Sequence, residues 1–206
     1  MATTTPNYGW NVPTSADYVA QGAVAIQTLG DEIDATVFGL PSGALALVSA
    51  TTIDSAVTSV ILTGAFSATY ENYKVMITGG TCSTNTTLRT QMRSGTTTET
   101  GSLYKISSTG GLYSNGTFAT DWDTEITNWT YTGYANNTSS YLSYNVDIIN
   151  PFLSKPTLIS GQYAHATSGR NSAGFLNTTT SYDQLVISPE AGNITGGTIY
   201  VYGYQK

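Results

Sequence analysis

Along the 206-residue chain the spacing of apolar positions changes once, near residue 40. Between Thr14 and Leu40, Val19, Ile26, Ile33 and Leu40 recur every seventh residue, with Gly22, Leu29 and Thr36 at the intervening d positions. This spacing predicts one short coiled-coil-like helix over 14–40. Thr14 follows Pro13 and precedes Asp17 by three, an Asp variant of the capping box, and Gly39 then Pro41 provide the stop. Residues 1–13 read as an extended arm, because Pro6, Gly9 and Pro13 oppose a helix. Tyr8 and Trp10 are the arm's two large anchors.

Beyond Pro41 the period shortens to two. Residues 41–55 read as a linker with a short strand near Ala46–Val48. From residue 56 onward the alternation predicts strands that bury Val60 and Leu62, then Tyr73, Val75 and Ile77, then Leu88, Thr90 and Met92. The clearest run buries Leu142, Tyr144, Val146 and Ile148 and ends at Asn150-Pro151. The last sets Ile199 and Val201 against Tyr200, Tyr202 and Tyr204. With no helix between the strands, the expected fold is mainly β. It is an antiparallel, jelly-roll-like β-sandwich over 56–206, preceded by an extended arm and one α-helix.

Only 10% of residues are charged, against about a quarter in an ordinary soluble protein. Thr, Ser, Asn, Gly and Tyr must therefore make much of the surface, as in extracellular β proteins. Yet MATTTPNYGW lacks a basic n-region and an apolar run, and no stretch approaches the roughly 18 apolar residues of a membrane span. A protein made in the cytoplasm and released by lysis is expected, without membrane insertion. The lone Cys82 excludes an internal disulfide and a cysteine metal cluster.

Charge is placed unevenly. Six acids and no base precede Lys74, which accounts for the whole net charge of −6. The segment therefore suits docking on a basic or neutral protein surface, and the chain has no basic stripe for nucleic acid.

Candidate chemistry is sparse. Asp121, Asp123 and Glu125 flank Trp122, but neighbours on one segment seldom straddle a scissile bond, and no EF-hand loop is completed. They read as a solvated loop. His165 reads as a strand-surface residue without a nucleophile elbow nearby. The Gly pairs at 79–80, 110–111 and 196–197 read as turns. No catalytic residue, metal site or cofactor is expected. The aromatics Tyr113, Trp122, Trp129, Tyr131 and Tyr134 are the remaining resource, either as a sugar-stacking cluster or as core.

The leader and helix resemble the N-terminal segment of bacteriophage tail-fibre and minor tail proteins. The matching residues are Thr5, Pro6, Asn7, Tyr8, Gly9, Trp10, Pro13, Asp17, Val19, Gly22, Ala23, Ala25, Ile26, Leu29, Gly30, Asp31, Ile33 and Asp34. The stretches AFSATYENYKVMITGG and ISPEAGNITGGTIYVYGYQK are similar to β domains of such proteins. The resemblance implies a structural virion subunit, usually a homotrimer, on a phage tail or capsid surface. Tyr8, Trp10, Val19, Ile26, Leu29 and Ile33 would then dock on tail or capsid proteins, and Trp122, Trp129, Tyr131 and Tyr134 would contact a host-surface glycan. A chain this short suits a short tail fibre or, alternatively, a capsid decoration (cement or head-fibre) protein. An enzyme is not expected.

Overall fold

The computed structural model describes residues 3–14, 18–39, 44–139 and 141–205. They form two compact units, which divide at Gly43 and Ala44.

In the first unit the leader folds back instead of running straight. Thr3–Thr4 pairs antiparallel with Asn11–Val12, closed by bonds from Thr5 N to Trp10 O and from Gly9 N to Thr5 O. Gly9 has φ +70°, a conformation that costs glycine little and lets the chain reverse. The helix α1 spans Val19–Gly39, five residues later than the spacing suggested at its start. Asp17, the proposed capping partner, and Leu40 lie outside the described residues. The Asn11–Val12 strand packs along α1.

The second unit is an antiparallel β-sandwich. Its main strands are β1 (Leu45–Thr52), β2 (Val60–Leu62), β3 (Asn72–Thr78), β4 (Thr86–Ser94), β5 (Tyr104–Leu112) and β6 (Phe118–Ile126), followed by β7 (Trp129–Asn136), β8 (Tyr141–Ile149), β9 (Thr157–His165), β10 (Ser168–Leu176), β11 (Gln184–Pro189) and β12 (Thr198–Tyr204). The larger sheet runs β6-β5-β10-β9-β8-β3-β12-β1, and the smaller runs β7-β4-β11-β2. Strand β8 belongs to both. Residues 141–144 pair with β7, while 145–149 pair with β3. Hairpins between sequence neighbours β5-β6, β8-β9 and β9-β10 give the larger sheet a meander within the sandwich.

The core fills the space between the sheets. Tyr73, Val75, Tyr104, Val146, Ile148 and Val201 face it from the larger sheet, and Leu62, Leu88, Met92, Trp129, Leu185 and Ile187 from the smaller. The strands that alternate most cleanly in sequence alternate in burial as well. The buried hydroxyls of Thr90, Thr132 and Tyr144 are matched. Thr90 Oγ1 lies 2.9 Å from Thr132 Oγ1 and 2.8 Å from the Tyr144 hydroxyl, which removes the cost of burying them unpaired. Cys82 is a buried free thiol.

Two stretches differ from their expected structure. Leu45–Thr52, placed in the linker, is an eight-residue edge strand paired along β12. Gly110 and Gly111 are not a turn but lie inside β5. A β-carbon on Gly110 would come within 2.2 Å of the Gly169 carbonyl oxygen, so close strand approach selects glycine there.

Candidate functional site

The residues singled out for docking divide within the first unit. Trp10 is half-buried, and its indole N–H donates to Thr36 Oγ1 at 2.9 Å. Asn11 donates through its backbone N and Nδ2 to the Glu32 carboxylate at 2.7 and 2.6 Å. Leu29 and Ile33 are half-buried on α1, at the same helical face as Thr36. Tyr8 stacks on Trp10 at 5.0 Å, yet is itself exposed. Ile26 is 65% exposed, as are its neighbours on that flank in large part, with Val37 at 58%. The side chain of Val19 lies outside the described residues. The leader thus covers one stripe of the helix and leaves Ile26 and Val37 uncovered.

The proposed glycan contacts separate more sharply. Trp129 is not a surface platform: it is completely buried and meets Tyr104 edge-on at 5.1 Å. The physical reason is register. Trp129 opposes Thr90 on β4, and that face of the smaller sheet points into the core. Tyr131 sits at the β7 bulge with φ +53° and packs against the core. Burial, then the nearby Asp123 and Asp121 carboxylates, push its phenol above the ordinary range. Tyr134 stacks on His165 at 4.4 Å. Only Trp122, 71% exposed, is a free platform, on edge strand β6.

The acidic triplet is a strand, not a loop. Asp121 and Asp123 alternate with exposed Trp122 on β6. Glu125 occupies a bulge with φ +57° and is carried off the face. Asp121 forms an ion pair with Arg170, and Asp123 accepts from Thr130 Oγ1 at 2.9 Å. Among the described residues no group of three His, Cys, Asp or Glu side chains could hold a metal ion.

His165 is not a free surface residue. Its Nε2 lies 2.6 Å from Ser168 Oγ, and its Nδ1 lies 3.1 Å from Thr167 Oγ1. Ser168 is buried, and a hydroxyl rather than a carboxylate stands at Nδ1, so the pair lacks the orienting acid of a hydrolytic triad. Burial, then Arg170, lower the imidazole pKa.

The outward face of the larger sheet brings together side chains far apart in sequence. One cross-strand row reads Trp122, Ser107, Ala173, Ser160, Asp147, Lys74, Tyr202, Leu47. Its centre is a concavity of about 380 Å³ lined by Lys74, Asn145, Asp147, Ser160, Gln162 and Asn171. A second, of about 470 Å³, shares Asn145, Gln162 and Asn171 and extends to Ser143 and Gly169. A third, of about 270 Å³, shares Asp147 and Ser160 and reaches Ile149 and Tyr204. Together they make one polar groove along β8. Asp147 accepts from the Tyr204 hydroxyl at 2.5 Å and pairs with Lys74 at 3.4 Å. Burial and this bond to Asp147 raise the Tyr204 phenol to about 12. No single segment carries this site, so its residues looked like ordinary outward positions of alternating strands.

Compared with protein-family models, with curated proteins and with solved structures, the chain gives no match. Among the described residues, no helix is long and apolar enough to cross a membrane.

Proposed function

We propose that the protein is a structural subunit of a bacteriophage virion, a short tail fibre or similar appendage. Residues 1–43 attach it to the particle, and the sandwich is presented for contact with the host surface. The observation that carries the reading is the character of the first unit. None of its described side chains is fully buried, while Tyr8, Tyr18, Val24, Ile26 and Val37 are exposed. It contains no basic residue. A 21-residue helix without a core of its own is marginal in water and gains its stability from what it packs against. The resemblance of its leader and helix to tail proteins names that surface as a tail or capsid protein, with the subunit acting as a homotrimer.

On this reading the chain is a binding and structural element, not an enzyme. The test is a phage carrying residues 44–206 in place of the full chain. The shortened protein should fold but be missing from purified particles. Its retention at normal copy number would overturn the anchor. Loss of head integrity with unaltered adsorption would instead favour a capsid decoration protein.

A further inference from the structure

We infer that the polar groove along β8 binds a neutral, hydroxyl-rich glycan chain, and that it, rather than the Trp122–Tyr134 region, is the sandwich's ligand site. The inference rests on the host-contact part of the reading above and adds a locus and a ligand class to it.

The lining decides the class. Asn145, Gln162 and Asn171 present three carboxamides on adjacent strands β8, β9 and β10, beside the Ser160 hydroxyl. Each carboxamide offers donors and an acceptor together, and neighbouring strands stand roughly 4.8 Å apart. Such a set suits the vicinal hydroxyls of a sugar ring. The formal charges along it are each paired, Lys74 with Asp147 and Arg170 with Asp121, so the groove offers no unpaired charge to an ionic ligand. Gln162 and Asn171 are exposed, and the centre of the groove is lined by polar residues and Gly161, without the central apolar anchors of a protein partner's hot spot. Asn145 Oδ1 is buried without a hydrogen-bond partner.

The shape agrees. From Ser143 to Ile149 the groove follows the strand for roughly 20 Å by strand rise, the reach of a short oligosaccharide rather than one sugar. A ring stands at each end. Tyr204 lines one end. At the other, the Tyr113 hydroxyl lies 3.1 Å from where a β-carbon of Gly169 would be, so glycine lets that ring lie against the sheet. Aromatic faces at the ends and amides between them match the division between stacking and hydrogen bonding in small-ligand sites.

The experiment screens the full chain on immobilised neutral hexose and N-acetylhexosamine oligosaccharides beside uronate- and sialic-acid-containing ones. Titration of the best neutral probe follows with Gln162→Ala, Asn171→Ala and Trp122→Ala. Neutral probes should bind, and each groove variant should weaken binding by about tenfold, the worth of a hydrogen bond. Trp122→Ala should change it less than about twofold, because three strand steps of roughly 4.8 Å separate that ring from Ser160. No binding to neutral probes, preference for the acidic set, or wild-type affinity in both groove variants would each overturn the groove. Normal adsorption by phage carrying the double groove variant would also overturn it and leave the appendage reading standing. Groove-dependent binding by a chain missing from purified virions would sink the appendage reading alone.

Discussion

The two units are held together by different physics. In the sandwich, Trp129, Tyr73, Tyr104 and Tyr182 are fully buried with their aliphatic neighbours, and most of the hydrogen bonding is strand to strand. In the first unit the ties are a few polar contacts, Trp10 to Thr36 and Asn11 to Glu32, along a half-covered helix. Apolar burial stabilises in proportion to area, whereas exposed polar contacts contribute little each. The difference teaches a division of labour. The sandwich carries a core of its own, and among the described residues the first unit has no fully buried side chain.

The largest effect should come from the centre of that difference. Trp129→Ala removes the biggest buried side chain and should cost about 3–5 kcal/mol in denaturant unfolding. A loss under about 1 kcal/mol would deny that the sandwich depends on its core. Next is Gly174→Ala. The added β-carbon would lie 2.7 Å from two atoms of the Trp129 indole, and such overpacking typically costs about 1–3 kcal/mol. Retention of the wild-type midpoint would show that the indole moves aside freely.

How much of this was legible follows from how local each signal is. Strands β3, β4, β8 and β12 were readable because one face is buried and the other is not, so period two survives in the sequence. Strand β6 was not, because an edge strand carrying Asp121, Asp123 and Glu125 has the composition of a loop; edge strands bear charge for a reason. The edge strand β1 was mostly lost among Ser, Thr and Ala. Trp129 was misplaced because which face of β7 points inward depends on pairing with β4. The groove depends on five strands at once, β3, β8, β9, β10 and β12, and had no linear signal.

The third expectation concerns pH. Burial pushes the Tyr104 and Tyr144 phenols upward. Burial, then Glu99, raises Tyr182 to about 12, and Tyr204 also stands at about 12. A raised phenol keeps its proton longer in the folded state than in the unfolded one. Stability should therefore be intact below pH 10, the unfolded value, and fall as pH climbs towards 12. Absorbance of tyrosinate should show these rings ionising late or together with unfolding. Early, non-cooperative titration of all the tyrosines would contradict their burial.

The smallest effect sharpens the other side of the comparison. Glu32→Gln weakens the bracket on Asn11, and amide exchange over residues 10–12 should quicken while the sandwich's unfolding midpoint stays within about 0.5 kcal/mol of wild type. A matching shift in the midpoint would mean that the units unfold as one.

The pairing of β1 with β12 has a mechanical consequence. Chain coming from the first unit enters the sandwich at Leu45, which sits opposite Tyr204. A pull on the chain that leads in from the first unit reaches the Leu45 end of β1 first. Strands in this geometry peel, releasing one rung at a time rather than resisting in parallel. The edge strand is thus a yielding element under tension, while β8, tied into both sheets, lies three strands further in and keeps its shape until the edge has given way.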